Sequence, residues 1–314
     1  MSKKIAFLFP GQGAQYVNMG KSLYENIKEC KEIFDKGQEL LDMPIKEIIF
    51  EGPEQELTRT ENNQPAILLT SLACLKALQL EGIEADYVAG LSLGEYAALI
   101  YGGALSFEDG LKLVKKRASI MENSLDKDAG SMAAVVKLNR EKINELLEKA
   151  SEFGVIEAAN YNCPGQVVIA GEIPAIKASA KIAKELGGMA IPLKVSGPFH
   201  SSLYEEASYK YYEELKEAEI NSLEKTVYSN VKGTPYFDED DIKDLLRRQI
   251  MSSVLFEDSI KDMISKGVDT FIEIGPGKAL SGFIKKIDKN VKVFNVEDMD
   301  SLRETVSVLV PVYS

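Results

Sequence analysis

Gly90-Leu91-Ser92-Leu93-Gly94 is the stretch that most narrows what this chain can fold into. The apolar run Tyr87–Ala89 before it reads as a buried strand, and Glu95–Ile100 after it is rich in good helix formers. A Gly-x-Ser-x-Gly pattern between strand and helix predicts a sharp corner, possible with its flanking glycines, that raises the serine hydroxyl at the end of a sheet. Such a serine also lies at a helix N-terminus, where N–H groups can hold an anionic oxygen. A serine that merely caps a helix in a tight turn satisfies the same pentapeptide, so other residues must decide between nucleophile and cap.

With 314 residues, 45% of them hydrophobic and 27% charged, the chain has the composition of a globular protein with a large core and room for a second, smaller domain. Its formal charge of -12 argues against nucleic acid or an anionic membrane as partner, so an anionic ligand needs a local basic site. Met1-Ser2-Lys3-Lys4 is followed by too few apolar residues before Pro10-Gly11 for a signal sequence or membrane span, and a cytoplasmic location is expected. Cys30, Cys74 and Cys163 are widely separated with no Cys-x-x-Cys, the pattern of free thiols rather than of disulfides or a zinc cluster.

Lys4–Phe9 reads as a first buried strand feeding the turn Pro10-Gly11-Gln12-Gly13. A helical pattern covers Val17–Leu41; another runs from Pro65, placed as a first helical residue, to Leu80; a third runs from an N-capping Ser106 to about Glu122. From Gly130 to Val195 the order is strand (Met132–Leu138), helix (Arg140–Ala150), strand (Val155–Ala159), strand (Gln166–Ala170), helix (Pro174–Leu186), strand (Met189–Val195). That is the split-βαβ or ferredoxin-like order. It is flanked by Asp126-Lys127-Asp128 and Ser196-Gly197-Pro198, which predicts a subdomain over 129–196 inserted into a core formed by 1–128 and 197–314. Helical patterns at Leu203–Ala218 and Asp240–Met251 and strands at Thr270–Ile274 and Val291–Val296 complete the core, whose strand-helix alternation predicts an α/β fold around a parallel sheet.

A serine nucleophile needs a base, and His200 is the only histidine in the chain. It follows Ser196-Gly197-Pro198-Phe199 on a turn that begins a helix, where a capping or surface role is the alternative. Glu122, Asp126, Glu157 and Glu172 lie between serine and histidine, but none stands out as the group that orients the ring, and a carbonyl could serve instead. On the helix from Ser106, Lys112, Lys115 and Lys116 share one face, whereas Arg117 falls with Gly110, Leu113, Val114 and Met121 on the apolar one. A buried arginine must find an anion, and its planar fork suits a carboxylate, either an internal Asp or Glu or a substrate's. Gln12, in the turn after the first strand, would lie beside the Ser92 corner in a parallel sheet, so its backbone N–H and that of Leu93 are candidate oxyanion donors. Gly275-Pro276-Gly277-Lys278 lacks the spacing of a phosphate loop, and Pro276 has no N–H to give, so it reads as a strand-end turn. Cys163, a rival nucleophile, has no basic neighbour in sequence to activate it.

These residues stand within longer segments: Phe9-Pro10-Gly11-Gln12-Gly13-Ala14-Gln15, Asn62-Asn63-Gln64-Pro65-Ala66, Gly90–Glu95, Arg117, Ala159-Asn160-Tyr161-Asn162-Cys163-Pro164-Gly165-Gln166, Pro198-Phe199-His200, Leu246-Arg247-Arg248-Gln249 and Glu273–Lys278. Together they resemble the malonyl-CoA:acyl carrier protein transacylases of dissociated fatty acid synthesis and, more broadly, the acyltransferase domains of polyketide synthases. The resemblance implies an α/β hydrolase-like core with an inserted ferredoxin-like subdomain. It makes Ser92 the acylated nucleophile, His200 its base, Gln249 the residue whose main-chain carbonyl holds the histidine, and Arg117 the clamp on the malonyl carboxylate. Gln12 and Leu93 are implied as oxyanion donors and Gln64 and Asn160 as pocket residues, while Phe199 before His200 resembles malonyl-selecting members. Leu91 stands where a histidine is common and Phe256 where a tryptophan often follows. The implied partners are malonyl-CoA and an acyl carrier protein with its phosphopantetheine arm. The carrier is acidic, so Lys112, Lys115 and Lys116, or Lys278, Lys285 and Lys286, are candidate docking charges. The chemistry calls for no metal or redox cofactor. A serine thioesterase or esterase using the same pair, an acyltransferase serving a polyketide-type carrier, and a non-catalytic CoA- or carrier-binding protein are the alternatives.

Overall fold

The computed structural model describes residues 4–126 and 128–310; Met1–Lys3 and Lys127, used above for the leader and for the flank of the insert, lie outside the described residues. Nine strands are described: β1 (Ile5–Phe9), β2 (Tyr87–Gly90), β3 (Ser131–Val136), β4 (Ile156–Cys163), β5 (Gln166–Gly171), β6 (Met189–Pro192), β7 (Thr226–Val227), β8 (Thr270–Ile274) and β9 (Lys292–Val296). The chain forms two compact units. One comprises the residues up to Ala118, Ala218–Tyr228 and those from Lys261 onward, and the other comprises Ser119–Glu217 and Ser229–Ile260.

The first unit holds a five-stranded sheet in the order β7-β2-β1-β8-β9, with every pair parallel. Ala6, Phe7, Leu8 and Phe9 are wholly buried, as are Val88, Phe271, Ile272 and Ile274, the near-continuous apolar runs of a sheet covered on both faces. Registers of Phe9 with Gly90 and Leu8 with Glu273 bring the C-terminal ends of β1, β2 and β8 to one edge, where ligand sites of parallel sheets form. The second unit holds an antiparallel sheet in the order β4-β5-β3-β6, with the helices Arg140–Ala150 and Ile173–Glu185 packing their apolar faces on it. This is the ferredoxin-like order read from the sequence, and the two architectures together are those expected of a hydrolase-like core with an inserted subdomain. Among the described residues no helix is long and apolar enough to cross a membrane.

Two local expectations are corrected. The pattern Val17–Leu41 is two helices, Lys21–Asn26 and Lys28–Leu41, because Ile27 is extended, and Val17–Gly20 is a turn. Pro65 is not a first helical residue: the helix runs Thr60–Leu80 and contains it. The polar start of that helix is buried through Thr60, Asn62, Asn63 and Gln64, and the amides of Asn62 and Asn63 donate back to the carbonyls of Glu56 and Thr58. Burial and these back-bonds fix a helical turn that the proline alone disfavours.

Candidate active site

Ser92 sits on the predicted corner between β2 and the helix Gly94–Tyr101, with a φ of +53°, a left-handed conformation that side chains rarely adopt. The flanking glycines serve the corner through space, not through their own dihedral angles, which are not left-handed. A Cβ on Gly90 would run into the backbone of Gly94 and Glu95, and one on Gly94 into the carbonyls of Phe9 and Pro10. The corner is therefore packed directly on the end of β1, and Leu91 N–H donates to Phe9 O at 2.9 Å. Gly11, in the turn after β1, is held the same way, with its Cβ position 2.5 Å from Leu91 O.

Arg117 lies on the helix Phe107–Asn123 and is 1% exposed, as the apolar phase of that helix predicted; Lys112, Lys115 and Lys116 are on the exposed face. Its guanidinium donates from Nη2 to Ser92 Oγ at 3.0 Å and from Nη1 to Gln64 Oε1 at 2.7 Å, and lies 5.7 Å from the centroid of the Tyr96 ring. Gln64 Nε2 in turn donates to Gln12 Oε1 at 3.4 Å, and Gln12 Nε2 to Thr60 Oγ1 at 3.3 Å. Five side chains from four segments, the serine included, are thus joined in one hydrogen-bonded run. Of these, Thr60 went unnoticed in the sequence, where it lies in a polar stretch ahead of Pro65.

In the second unit His200 occupies a turn, as expected, but it is 4% exposed and its φ is +61°. Its N–H donates to Ile250 O at 3.1 Å and its Nδ1 lies 2.7 Å from Gln249 O. Gln249 is the last residue of the helix Ile242–Gln249, where carbonyls lack the partners that a continuing helix supplies. A carbonyl only accepts, so Nδ1 carries the proton and Nε2 of the neutral ring is the basic nitrogen. Three of the four acidic residues weighed from the sequence have other work: Glu157 accepts from Ser202 N and Oγ at 2.7 and 2.8 Å, Glu172 from Val155 N at 2.7 Å and Glu122 from Ser196 Oγ at 3.3 Å. Phe199 is 5% exposed with its ring centroid 5.5 Å from that of Tyr204. Asn160 is mostly buried on β4, where the strand bulges and Tyr161 N and Ala159 O pair with Val254. Cys163 is wholly buried, and all three cysteines are free thiols.

Gly275–Lys278 is the strand-end turn read from the sequence, joining β8 to the helix Ala279–Ile287. The buried Glu273 carboxylate accepts from Leu280 N and Ser281 N at the start of that helix, at 3.1 and 2.7 Å. Burial raises its pKa, and these amides offset part of the rise.

The model of the acyl transferase domain family matches residues 6–302. The malonyl CoA-acyl carrier protein transacylase of Bacillus subtilis strain 168 is 44% identical over 308 residues, covering 98% of this chain and 97% of the relative. The chain belongs to this transacylase family. That of Staphylococcus aureus strain MRSA252 is 40% identical over 302 residues, with 96% and 97% covered. Among solved structures, the transacylase from Clostridium perfringens ATCC 13124 superposes with a TM-score of 0.95 at 51% identity, covering 98% of this chain and 97% of that one. Another, from Streptococcus pneumoniae, gives 0.93 at 45% identity, with 98% and 100% covered. Of the two departures noted in the sequence, Leu91 is partly exposed beside Ser92, and Phe256 is buried at the start of the helix Phe256–Ser265.

Proposed function

We propose that this chain transfers a malonyl group from CoA to the phosphopantetheine thiol of an acyl carrier protein through a malonyl ester of Ser92. The observation that carries this reading is the Arg117 guanidinium bonded to Ser92 Oγ. A buried cation at the nucleophile favours an acyl group that ends in a carboxylate, and malonyl puts one methylene between its carboxylate and the carbonyl under attack. Family membership supports the same donor and acceptor, as do the relatives named as malonyl CoA-acyl carrier protein transacylases.

His200 Nε2 takes the Ser92 proton as Oγ bonds to the thioester carbon, and Arg117 turns its fork to the malonyl carboxylate. The negative carbonyl oxygen is held by the N–H groups of Gln12 and Leu93, and the imidazolium is steadied through Nδ1 by the Gln249 carbonyl. Collapse of the intermediate breaks the carbon–sulfur bond, and His200 returns the proton to the CoA thiolate. The pantetheine thiol then gives its proton to His200, attacks the ester, and leaves as malonyl thioester while Ser92 regains its proton. Each half-reaction balances with no metal or redox cofactor. Gln64 and Asn160 line the acyl site, and the bulk of Phe199 leaves less room for an α-methyl, a discrimination of about 1–3 kcal/mol. The carrier meets a lysine cluster, Lys112, Lys115 and Lys116 or Lys278, Lys285 and Lys286. The reaction is cytoplasmic and involves no nucleic acid or membrane.

Intact-mass spectrometry tests this directly. The chain mixed with malonyl-CoA should gain one malonyl group and pass it to a carrier bearing its thiol, and Ser92→Ala should gain none. An adduct lost as free malonate would make the protein a thioesterase, and carrier function that survives Ser92→Ala would make it a binding protein. Arg117→Ala should depress malonyl loading by at least about 100-fold while sparing acetyl loading; equal loss of both would remove the clamp from the scheme.

A further inference from the structure

The run from Arg117 to Thr60 has a direction. A guanidinium only donates, so the Gln64 atom 2.7 Å from Arg117 Nη1 is the amide oxygen, and the Gln64 nitrogen is the end turned to Gln12. Gln12 must then present its oxygen to Gln64, which turns its own nitrogen to Thr60 Oγ1. Each amide fixes the sense of the next, and the hydroxyl of Thr60 accepts from the last of them.

We infer that Thr60 is a specificity-determining positioning residue, whose hydroxyl accepts from the Gln12 amide in the sense that Arg117 imposes and, through Gln12 and Gln64, steadies the Arg117 fork. This rests on the reading of Arg117 as the clamp on the substrate carboxylate. Thr60 is 1% exposed at the first residue of its helix, so no bulk water stands ready to replace its oxygen. With an isosteric valine in its place, the Gln12 nitrogen loses this acceptor, and only the Gln64 nitrogen still holds the amide against a flip. Such a flip would point the Gln12 nitrogen at the Gln64 nitrogen, and a compensating flip of Gln64 would point a donor at the guanidinium. Both alternatives set donor against donor beside the buried Gln64 and Arg117, so Arg117 loses a fixed partner that holds one arm of its fork. Thr60 Oγ1 meets Gln12 at its side-chain amide, whereas the proposed oxyanion donor is the Gln12 main-chain N–H, so the cost falls first on acyl groups that need the fork.

The test compares Thr60→Val, Thr60→Ala and Thr60→Ser with the unmodified chain and Arg117→Ala, reading Ser92 acylation by malonyl-CoA and by acetyl-CoA separately, with thermal unfolding measured for each. Thr60→Val should raise the KM for malonyl-CoA about 5- to 10-fold with kcat within about twofold, and leave acetyl loading unchanged. Thr60→Ser should restore the malonyl KM, and Thr60→Ala reads the same loss should the valine variant not fold. A malonyl-to-acetyl preference in Thr60→Val or Thr60→Ala equal to that of Thr60→Ser overturns the inference, as does an equal fall in both substrates. If Arg117→Ala changes the preference and the hydroxyl-free Thr60 variants do not, the amide relay alone is wrong. If Arg117→Ala leaves the preference intact, the clamp reading fails and takes the relay with it.

Discussion

Gly94→Ala tests how tightly the nucleophile is coupled to the sheet. The added methyl would lie 2.7 Å from the Phe9 carbonyl carbon and 2.9 Å from the Pro10 oxygen, with the Phe9 oxygen nearer still. All three are backbone atoms, and ordinary Cβ contact begins at 3.4 Å, so the end of β1 and the start of the helix Gly94–Tyr101 must part by about 0.7 Å, the difference between 3.4 and 2.7 Å, on the Phe9 carbon alone. Overpacking of this kind costs about 1–3 kcal/mol of stability. The chemistry suffers more, because the contact lies between the segments that carry the two proposed oxyanion donors, Leu93 and Gln12. A misplacement near 1 Å is worth about 100-fold in rate. Single-turnover malonylation followed by intact mass should therefore slow about 100-fold while the protein still unfolds cooperatively at a lowered temperature. Gly282→Ala is the matched control. Gly282 is exposed inside the helix Ala279–Ile287 with nothing within 4 Å of its Cβ position, and alanine there should stabilise by about 0.5–1 kcal/mol without touching the rate. A Gly94→Ala enzyme that acylates at the parent rate would refute the argument that the corner is seated on β1.

Glu273 gives the fold a pH dependence of opposite sign to that of a paired surface carboxylate. Its pKa is raised by burial, so between the ordinary carboxylate value of 4.5 and the higher folded value the native state holds more protons than the unfolded one, and stability falls as pH rises through that window. Denaturant titrations should show this slope flattened in Glu273→Gln, and an unchanged slope would remove Glu273 as its source. The thiols should be silent in the native state: burial pushes Cys30 up to about 12 and Cys74 well above its ordinary value, and Cys163 is wholly buried. Iodoacetamide at pH 8 should add nothing to the folded chain and three groups to the denatured one; native labelling would show an opening that reaches these cores.

What could be read from the sequence follows from what is local. The strand-corner-helix around Ser92 and the inward phase of Arg117 are short-range patterns, and the structure shows both. The role of the glycines was legible only in part, since their flexibility was visible and the carbonyls of β1 and the helix backbone against them were not. Pro65 misled because a proline near the start of an apolar run marks a helix start on local grounds, whereas here buried amides carry the helix back to Thr60. No spacing of acidic residues could identify the partner of the His200 ring, because that partner is a main-chain oxygen 49 positions away; only the resemblance pointed to Gln249. The amide series ending at Thr60 joins residues 48 and 52 positions apart and has no periodicity at all.

That oxygen on Gln249 changes how this site can drift. Every side chain is exposed to replacement by a single codon change, but a backbone carbonyl is rewritten by none of them. Substituting Gln249 alters the packing of a buried residue while the atom facing His200 stays in place, so long as the helix from Ile242 still ends there. The constraint has moved from the identity of one residue to the length of one helix. Insertions and deletions between Ile242 and Gln249, rather than point changes at 249, are then the lesions from which the histidine would not recover.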